Sequence, residues 1–284
     1  MGKSTLLNAL VGEKIAIVSD KPQTTRNKII GIYNSGDVQL VFVDTPGLHT
    51  PKNKLGEHMI KEINDANDGV DAVLFVAECR APGKFEYDLI EKFKSMGVPV
   101  ILVINKIDKV NKSDILEVIK IYSEKYSFES VVPVSALNLD GVNIIMDELL
   151  RLAAADGVLY YPDDISTVQT VRQMASEIVR EKILRNMYEE IPHGVAVEPV
   201  VFKERTNKNG DNITDIVVNI ICERSSHKGM IIGKNGEMLK KMASEARKEL
   251  ETLTGTKVYL ECHVKVKENW RDNEKIISEL GLYE

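Results

Sequence analysis

The sequence is poor in cysteine, in aromatic side chains and in net positive charge, and each shortage closes off a class of protein. Its three cysteines, Cys79, Cys222 and Cys262, form no CxxC pair. Reduced, buried thiols are therefore expected rather than a disulfide framework or a thiolate zinc site. The five histidines are scattered without ligand spacing, which argues against zinc held by imidazole. Lysine and arginine total 37 against 43 acidic residues, a net charge of −6. This excludes a chain that coats nucleic acid through its average charge, while leaving room for a local basic face. No apolar run reaches the roughly 18–20 residues of a membrane span. The opening MGKSTLLNALVGEK lacks the basic, apolar and small-residue succession of a secretory leader, so cytoplasm is expected. Internal repeats and low-complexity tracts are missing as well.

What is present is a chain of 284 residues, long enough for two domains. Up to residue 153, strand-like and helix-like segments alternate. DVQLVFVDTPG, DAVLFVAE, VPVILVINKID and SVVPVSAL are apolar runs ending in turns; KFEYDLIEKFKSM and SDILEVIKIYSEKY are helical. Such alternation predicts an α/β fold with a doubly wound, mostly parallel sheet, whose ligand lies at the carboxyl ends of the strands. Residues 154–167, with Pro162, two aspartates and Ser166/Thr167, read as a linker ending in a helix cap. Residues 168–284 then give helix, strand, strand, helix, GxxG, helix, strand and a terminal helix, which is a smaller α+β domain.

Four motifs occur in order in the first region, the last three of them at strand ends. GKST, Gly2–Thr5, is the second half of a phosphate loop. Lys3 would neutralise the β- and γ-phosphates, Ser4 would bind Mg²⁺ and Thr5 would support them. DTPG spans Asp44, Thr45, Pro46 and Gly47. It places a carboxylate to hold Mg²⁺ through water and a glycine N–H to sense the γ-phosphate. NKID supplies Asp108, which accepts from guanine N1–H and N2–H₂, a donor pair that adenine lacks. Asn105 would meet the base edge and hold neighbouring loops, and the Lys106 stem would cover the ring. In SAL, Ser135 supports the loop and the Ala136 N–H would meet guanine O6. Any one motif is only a turn at a strand end; the ordered set indicates GTP/GDP with Mg²⁺.

Ser19–Asn27 occupies the place of a first switch, with Thr24 and Thr25 as candidate hydroxyls for Mg²⁺ and the γ-phosphate. Thr25 is carried forward, with Lys3 and Gly47, as a catalytic candidate. Leu48 stands where many GTPases place a water-orienting glutamine, so slow, partner-stimulated hydrolysis is expected.

In the second region GKNG, Gly233–Gly236, has the form of the loop with which a KH domain clamps a nucleic-acid backbone. Gly233 and Gly236 allow close approach, and Lys234 and Asn235 lie between them. Ile231, Ile232, Met238, Leu239 and Met242 fall on core-facing positions. From residue 224 to 248, Arg224, Lys228, Lys234, Lys240, Lys241, Arg247 and Lys248 outweigh Glu237 and Glu245. Lys234 is the first candidate RNA contact, followed by Lys228 and Lys241. Trp270 is expected to pack against the terminal helix rather than stack on a base.

Taken together, GKSTLLNALVG, KPQTTRNKIIGI, VDTPGLH, NKID, SAL, HKGMIIGKNGEMLK and VKVKENWRDNE resemble the Era family of bacterial GTPases over essentially the whole chain. The resemblance implies a type II KH fold and binding near the 3′ end of 16S ribosomal RNA. It also implies a role in small ribosomal subunit assembly, a monomer, and peripheral contact with the inner face of the plasma membrane. Family members carry a strand and GRPNVGKS before the lysine, with valine usually where this chain has Met1. A valine GTG codon can start translation, so a mis-assigned start site is expected. A real truncation would leave a nucleotide-dead RNA-binding module. GTPases of tRNA modification or large-subunit assembly are disfavoured by the KH domain.

Overall fold

The computed structural model describes residues 1–47, 50–65, 69–153 and 159–282. The chain forms two compact units that draw on alternating stretches of sequence. The first takes Met1–Ala16, Lys28–Leu48 and Ile63–Val168; the second takes Ile17–Asn27, His49–Glu62 and Gln169–Glu284. A division along the sequence at 154–167 thus differs from the observed packing, in which the second unit takes two early segments.

In the first unit β3 (Val73–Glu78), β4 (Val100–Asn105) and β5 (Ser130–Val134) form a parallel sheet in the order β3-β4-β5. Every residue of β4 is buried, as its unbroken apolar run requires. On one face α1 (Lys3–Val11) and α5 (Val142–Leu152) place Leu6, Leu10, Ile145 and Leu149 against Val76, Ile101, Val103 and Val132. On the other, α3 (Lys84–Met96) and α4 (Lys112–Ser123) cover Phe75, Leu102 and Ile104 with Ile90, Phe93, Val118 and Tyr122. The sheet is therefore doubly wound. β1 (Ile29–Ser35) and β2 (Val38–Asp44) form a separate antiparallel hairpin about Gly36, whose φ is +57°.

The expected linker is partly built into this unit. Residues 154–158 lie outside the described residues, but the following stretch runs along the hairpin. Ile32 N donates to Ser166 O at 2.8 Å and Thr167 Oγ1 to Ile30 O at 2.7 Å. Ser166 and Thr167 consequently do not cap the next helix. Thr170 does: it accepts from Gln173 N, while Gln173 Oε1 accepts from Thr170 N at 2.9 Å.

The second unit carries α6 (Val171–Asn186), β6 (Ala196–Thr206), β7 (Asn212–Cys222), α7 (Ser225–Ile232), α8 (Glu237–Thr254) and β8 (Lys257–Val266). Its sheet has the order β6-β7-β8, antiparallel then parallel, which is the expected KH order of elements. Its core joins Ile178, Val179 and Ile183 of α6 to Ile216, Val218 and Ile220 of β7 and to Met242, Ala246 and Leu250 of α8. Most of α2 (Lys54–Asp65) and α9 (Glu274–Glu279) complete the unit. All three cysteines are free, and burial raises each thiol, Cys262 to about 12, so none is a ready nucleophile. No described helix is long and apolar enough to cross a membrane.

Candidate nucleotide and RNA sites

The phosphate loop enters α1 through Gly2 at φ +83°, and Leu6 N donates to Gly2 O at 3.0 Å. A Cβ on Gly2 would lie 2.7 Å from Asn105 Nδ2, so the position needs glycine for space as well as conformation. A helix start offers N–H groups without intrahelical partners, the feature that binds phosphate. Lys3 and Ser4 occupy the first turn, with Thr5 behind them.

Ser4 Oγ donates to Asp44 Oδ2 at 2.6 Å, which joins two of the three expected Mg²⁺ ligands across forty residues of sequence. Asp44 ends β2 and is buried. A hydroxyl beside a carboxylate is a hard-oxygen donor set that suits Mg²⁺. Thr45 and Pro46 follow, and a Cβ added to Gly47 would stand 3.7 Å from Lys3 Nζ. Lys3, Ser4, Asp44 and Gly47 are thus gathered in one place.

The base-reading motifs are tied together by a single side chain. Asn105, at the end of β4 and only 2% exposed, accepts at Oδ1 from Ala136 N at 3.0 Å and from Lys106 N at 2.8 Å. Its Nδ2 donates to Met1 O at 2.9 Å, so one amide spans the phosphate loop, NKID and SAL. Ser135 Oγ donates to Asp108 Oδ1 at 2.7 Å and aims that carboxylate. The Ala136 N–H, expected to meet guanine O6, is here given to Asn105, because a buried amide takes the acceptor available to it.

Sequence reasoning missed Glu78. It ends β3 in register with Asn105 and pairs with the Lys106 ammonium. Lys106 and the Met1 amino group hold its carboxyl down to about 2 despite burial. The signal was an acidic residue closing an apolar strand, one strand from NKID.

Thr25 belongs to the segment that packs in the second unit, where it is buried and where Arg180 Nη2 donates to the neighbouring Thr24 O at 2.5 Å. Leu48, the position lacking glutamine, lies outside the described residues.

In the second unit α7 ends at Gly233, with φ +73° and ψ 178°. Asn235 at φ +52° and Gly236 at φ +78° carry the chain into α8. A Cβ on Gly233 would meet Met238 Cβ at 2.6 Å. Ile231 and Met242 are buried and Ile232, Met238 and Leu239 pack against the same core. Lys228, Lys234 and Lys241 are all exposed, so three ammonium groups accompany a glycine loop on a firm apolar base. Trp270 is fully buried and shares a core with Ile277 of α9, as expected.

Comparison with known proteins agrees in both units. Residues 1–106 match the family described as 50S ribosome-binding GTPase, and residues 190–271 match the KH domain. GTPase Era of Ruminiclostridium cellulolyticum is 44% identical over 282 residues, 99% of this chain and 93% of its own. GTPase Era of Clostridium botulinum is 48% identical over 283 residues, 99% of this chain and 94% of its own. Two solved structures each have a TM-score of 0.94 and 34% identity, covering 100% of this chain and 95% of theirs. One is an Aquifex aeolicus Era variant bound to GDP and tetrafluoroaluminate. The other is Era in complex with MgGDPNP and nucleotides 1506–1542 of 16S ribosomal RNA. Matches over 99% of the chain lend no support to the expectation of a truncated form.

Proposed function

This chain belongs to the GTPase Era family, and on that premise we propose that it is a GTP-hydrolysing switch that binds 16S ribosomal RNA near its 3′ end during small-subunit assembly. The observation that supports this reading most is the Asn105 amide, which ties the phosphate loop to both guanine-reading loops, with Ser4 and Asp44 paired beside them.

Lys3 neutralises the β- and γ-phosphates and the helix start cradles them, with Thr5 in support. The Ser4 hydroxyl and Asp44 would hold Mg²⁺, with Thr25 as the further candidate hydroxyl. When bound, that ion neutralises charge between the β- and γ-phosphates. Thr45 and Pro46 carry the chain to the Gly47 N–H, which senses the γ-phosphate. Asp108 selects guanine, with Asn105, Lys106, Ser135 and Ala136 shaping the pocket. Hydrolysis is slow until a partner assists. Gly233, Lys234, Asn235 and Gly236 hold the RNA backbone, with Lys228 and Lys241 adding charge. The family's monomeric state, cytoplasmic location and peripheral contact with the inner membrane face belong to the same proposal.

Binding of GTP and ATP by the full chain tests the first half; equal affinities would overturn it. An oligonucleotide matching the 16S 3′ end tests the second. Single-strand affinity falls with salt by a logarithmic slope of about −0.7 per phosphate contact. Lys234→Ala should therefore weaken binding and flatten the slope by about that amount. An unchanged slope would remove Lys234 from the interface.

A further inference from the structure

The sheet of the second unit is covered on one face and only partly covered on the other. Towards the core, α7 and α8 set Ile231, Met242 and Leu250 against Val258 and Val264 of β8. Strand alternation sends the residues between these to the opposite face. At one end of that face Ala196 and Ile221 are covered by Trp270, Leu55, Met59 and Ile277, with the Arg26 guanidinium 5.6 Å from the indole centroid. At the other end the face is open, for Tyr259 of β8 is 56% exposed and Val201 of β6 is 38% exposed.

Two rows of residues build the open end. Lys203, Asp215 and Tyr259 stand in register across the three strands, and Arg205, Ile213 and Lys257 stand beside them. Arg205 Nε donates to Asp215 Oδ2 at 2.6 Å, so these two charges cancel. Lys203 and Lys257 are exposed and have no acidic partner among the described residues. The surplus is two ammonium groups beside one bare aromatic ring. Strand geometry puts Lys257 about 6.6 Å from Tyr259 along β8 and Lys203 about 9.5 Å away across the sheet, measured between Cα atoms. Towards the covered end the character changes, because Glu261 lies 3.0 Å from His263 Nε2 and Glu198 accepts from Asn219 Nδ2 at 2.9 Å. Acidic groups therefore bound the patch on that side.

Tyrosine is a common strand former, and a lone exposed ring needs no ligand. What singles out Tyr259 is its company, two unpaired lysines in a chain whose net charge is −6. A protein partner would meet only the ring, Val201 and Val217 as apolar area, edged by like charge. A nucleotide suits the patch better: its base offers a π-face to the ring and its phosphates offer charge to the lysines.

We propose that this open face is a second single-strand RNA site, separate from the glycine loop, in which a base stacks on Tyr259 while Lys203 and Lys257 hold the flanking phosphates. β8 is an edge strand, with the helices of the glycine loop on one side and Tyr259 on the other. One RNA strand can pass from the loop over that edge. Stacking reads no base edge, so the site tolerates sequence and lengthens the RNA held rather than sharpening its recognition. The inference extends the RNA-binding reading above and involves no nucleotide switch.

The test uses the full chain and a labelled 16S 3′-end oligonucleotide, with and without 5-iodouridine tracts added at both ends. Anisotropy gives affinities, and photocrosslinking with mass spectrometry locates the tracts. A crosslink at Tyr259 is expected. Tyr259→Ala should weaken binding of the extended RNA about fivefold or more, the loss of one stacked base, while Tyr259→Phe keeps the ring and the affinity. Lys203→Ala together with Lys257→Ala should flatten the logarithmic salt slope by about 1.4, two contacts at about 0.7 each. Should Tyr259→Ala fail to fold, this surface pair still reads the site. The losses from Tyr259→Ala and Lys234→Ala should multiply, as independent contacts do. Unchanged affinity and slope in these variants, with crosslinks confined to other residues, would overturn the site. A wild-type dimer in gel filtration that Tyr259→Ala dissociates would also overturn it, by assigning the face to a second copy of the chain. Wild type that binds neither RNA would overturn the RNA reading as a whole, glycine loop included.

Discussion

In the proposed function, guanine selection rests on one carboxylate. Asp108, aimed by Ser135 Oγ at 2.7 Å, would offer its acceptor oxygens to guanine N1–H and N2–H₂. Asp108→Asn turns one acceptor into a donor, and bonds to a charged group are worth about 1.5–3 kcal/mol each. GTP affinity should fall by on the order of 10²-fold, while xanthosine triphosphate, with a carbonyl at that edge, gains. Calorimetric titration with both nucleotides decides it; an equal loss for both would remove the pairing. The glycine loop permits a similar separation. Gly233 combines φ +73° and ψ 178°, a region almost confined to glycine, with Met238 Cβ 2.6 Å from any added methyl. Gly236, at φ +78° and ψ 6°, has open space around it. Gly233→Ala should cost about 2–3 kcal/mol and Gly236→Ala about 1 kcal/mol in urea unfolding. At Glu78 the sign follows from a lowered pKa. The Lys106 pairing stabilises the fold above the ordinary carboxyl value of 4.5 and is lost as pH falls toward about 2. Glu78→Gln should flatten thermal stability across that window, which melting curves at stepped pH will show.

Elements were legible where the signal is local. β3, β4 and β5 follow from apolar runs, α3 and α4 from periodicity, and the GxxG turn from its glycines. β1 was not legible, because Gly31 interrupts its pattern. A Cβ there would meet Ile15, Leu7 and Val11 side chains at 2.7–2.9 Å, so the glycine serves the packing of α1 on the hairpin. The polar stretch before residue 168 resembles a loop because its hydrogen bonds go to a hairpin more than a hundred residues earlier, as with Gln39 Nε2 to Tyr161 O at 2.9 Å. That pairing also explains the misplaced cap: Thr167 is committed to Ile30 O, and Thr170 starts α6. Thr170→Ala should cost about 1 kcal/mol. Thr167→Ala should leave α6 intact and loosen the hairpin edge. Hydrogen exchange at the start of α6 and at Ile32 N distinguishes the two; protection lost at the wrong element would refute the assignment.

Composition along a chain cannot reveal that a molecule borrows early segments for a late unit, because the deciding contacts lie far apart in sequence. Arg26 reaches His193 and Val195 across 167 and 169 residues, and Leu55 and Met59 join a cluster completed by Ile277. A linear cut therefore misjudges what the RNA-binding unit needs to be stable. A fragment of residues 169–284 keeps Ala196, Ile221 and Ile277 around Trp270 but lacks Arg26, Leu55 and Met59. Each missing apolar side chain forfeits about 1.5–3 kcal/mol of burial. Against the roughly 5–15 kcal/mol that holds a domain, that loss leaves a fold of marginal stability. The fragment's tryptophan emission should accordingly lie to the red of the full chain's, with a lower urea midpoint. Leu55→Ala together with Met59→Ala in the full chain should move both readings part of the way, since Arg26 still covers the ring. Identical emission from fragment and full chain would mean that Arg26, Leu55 and Met59 do not cover the indole in solution.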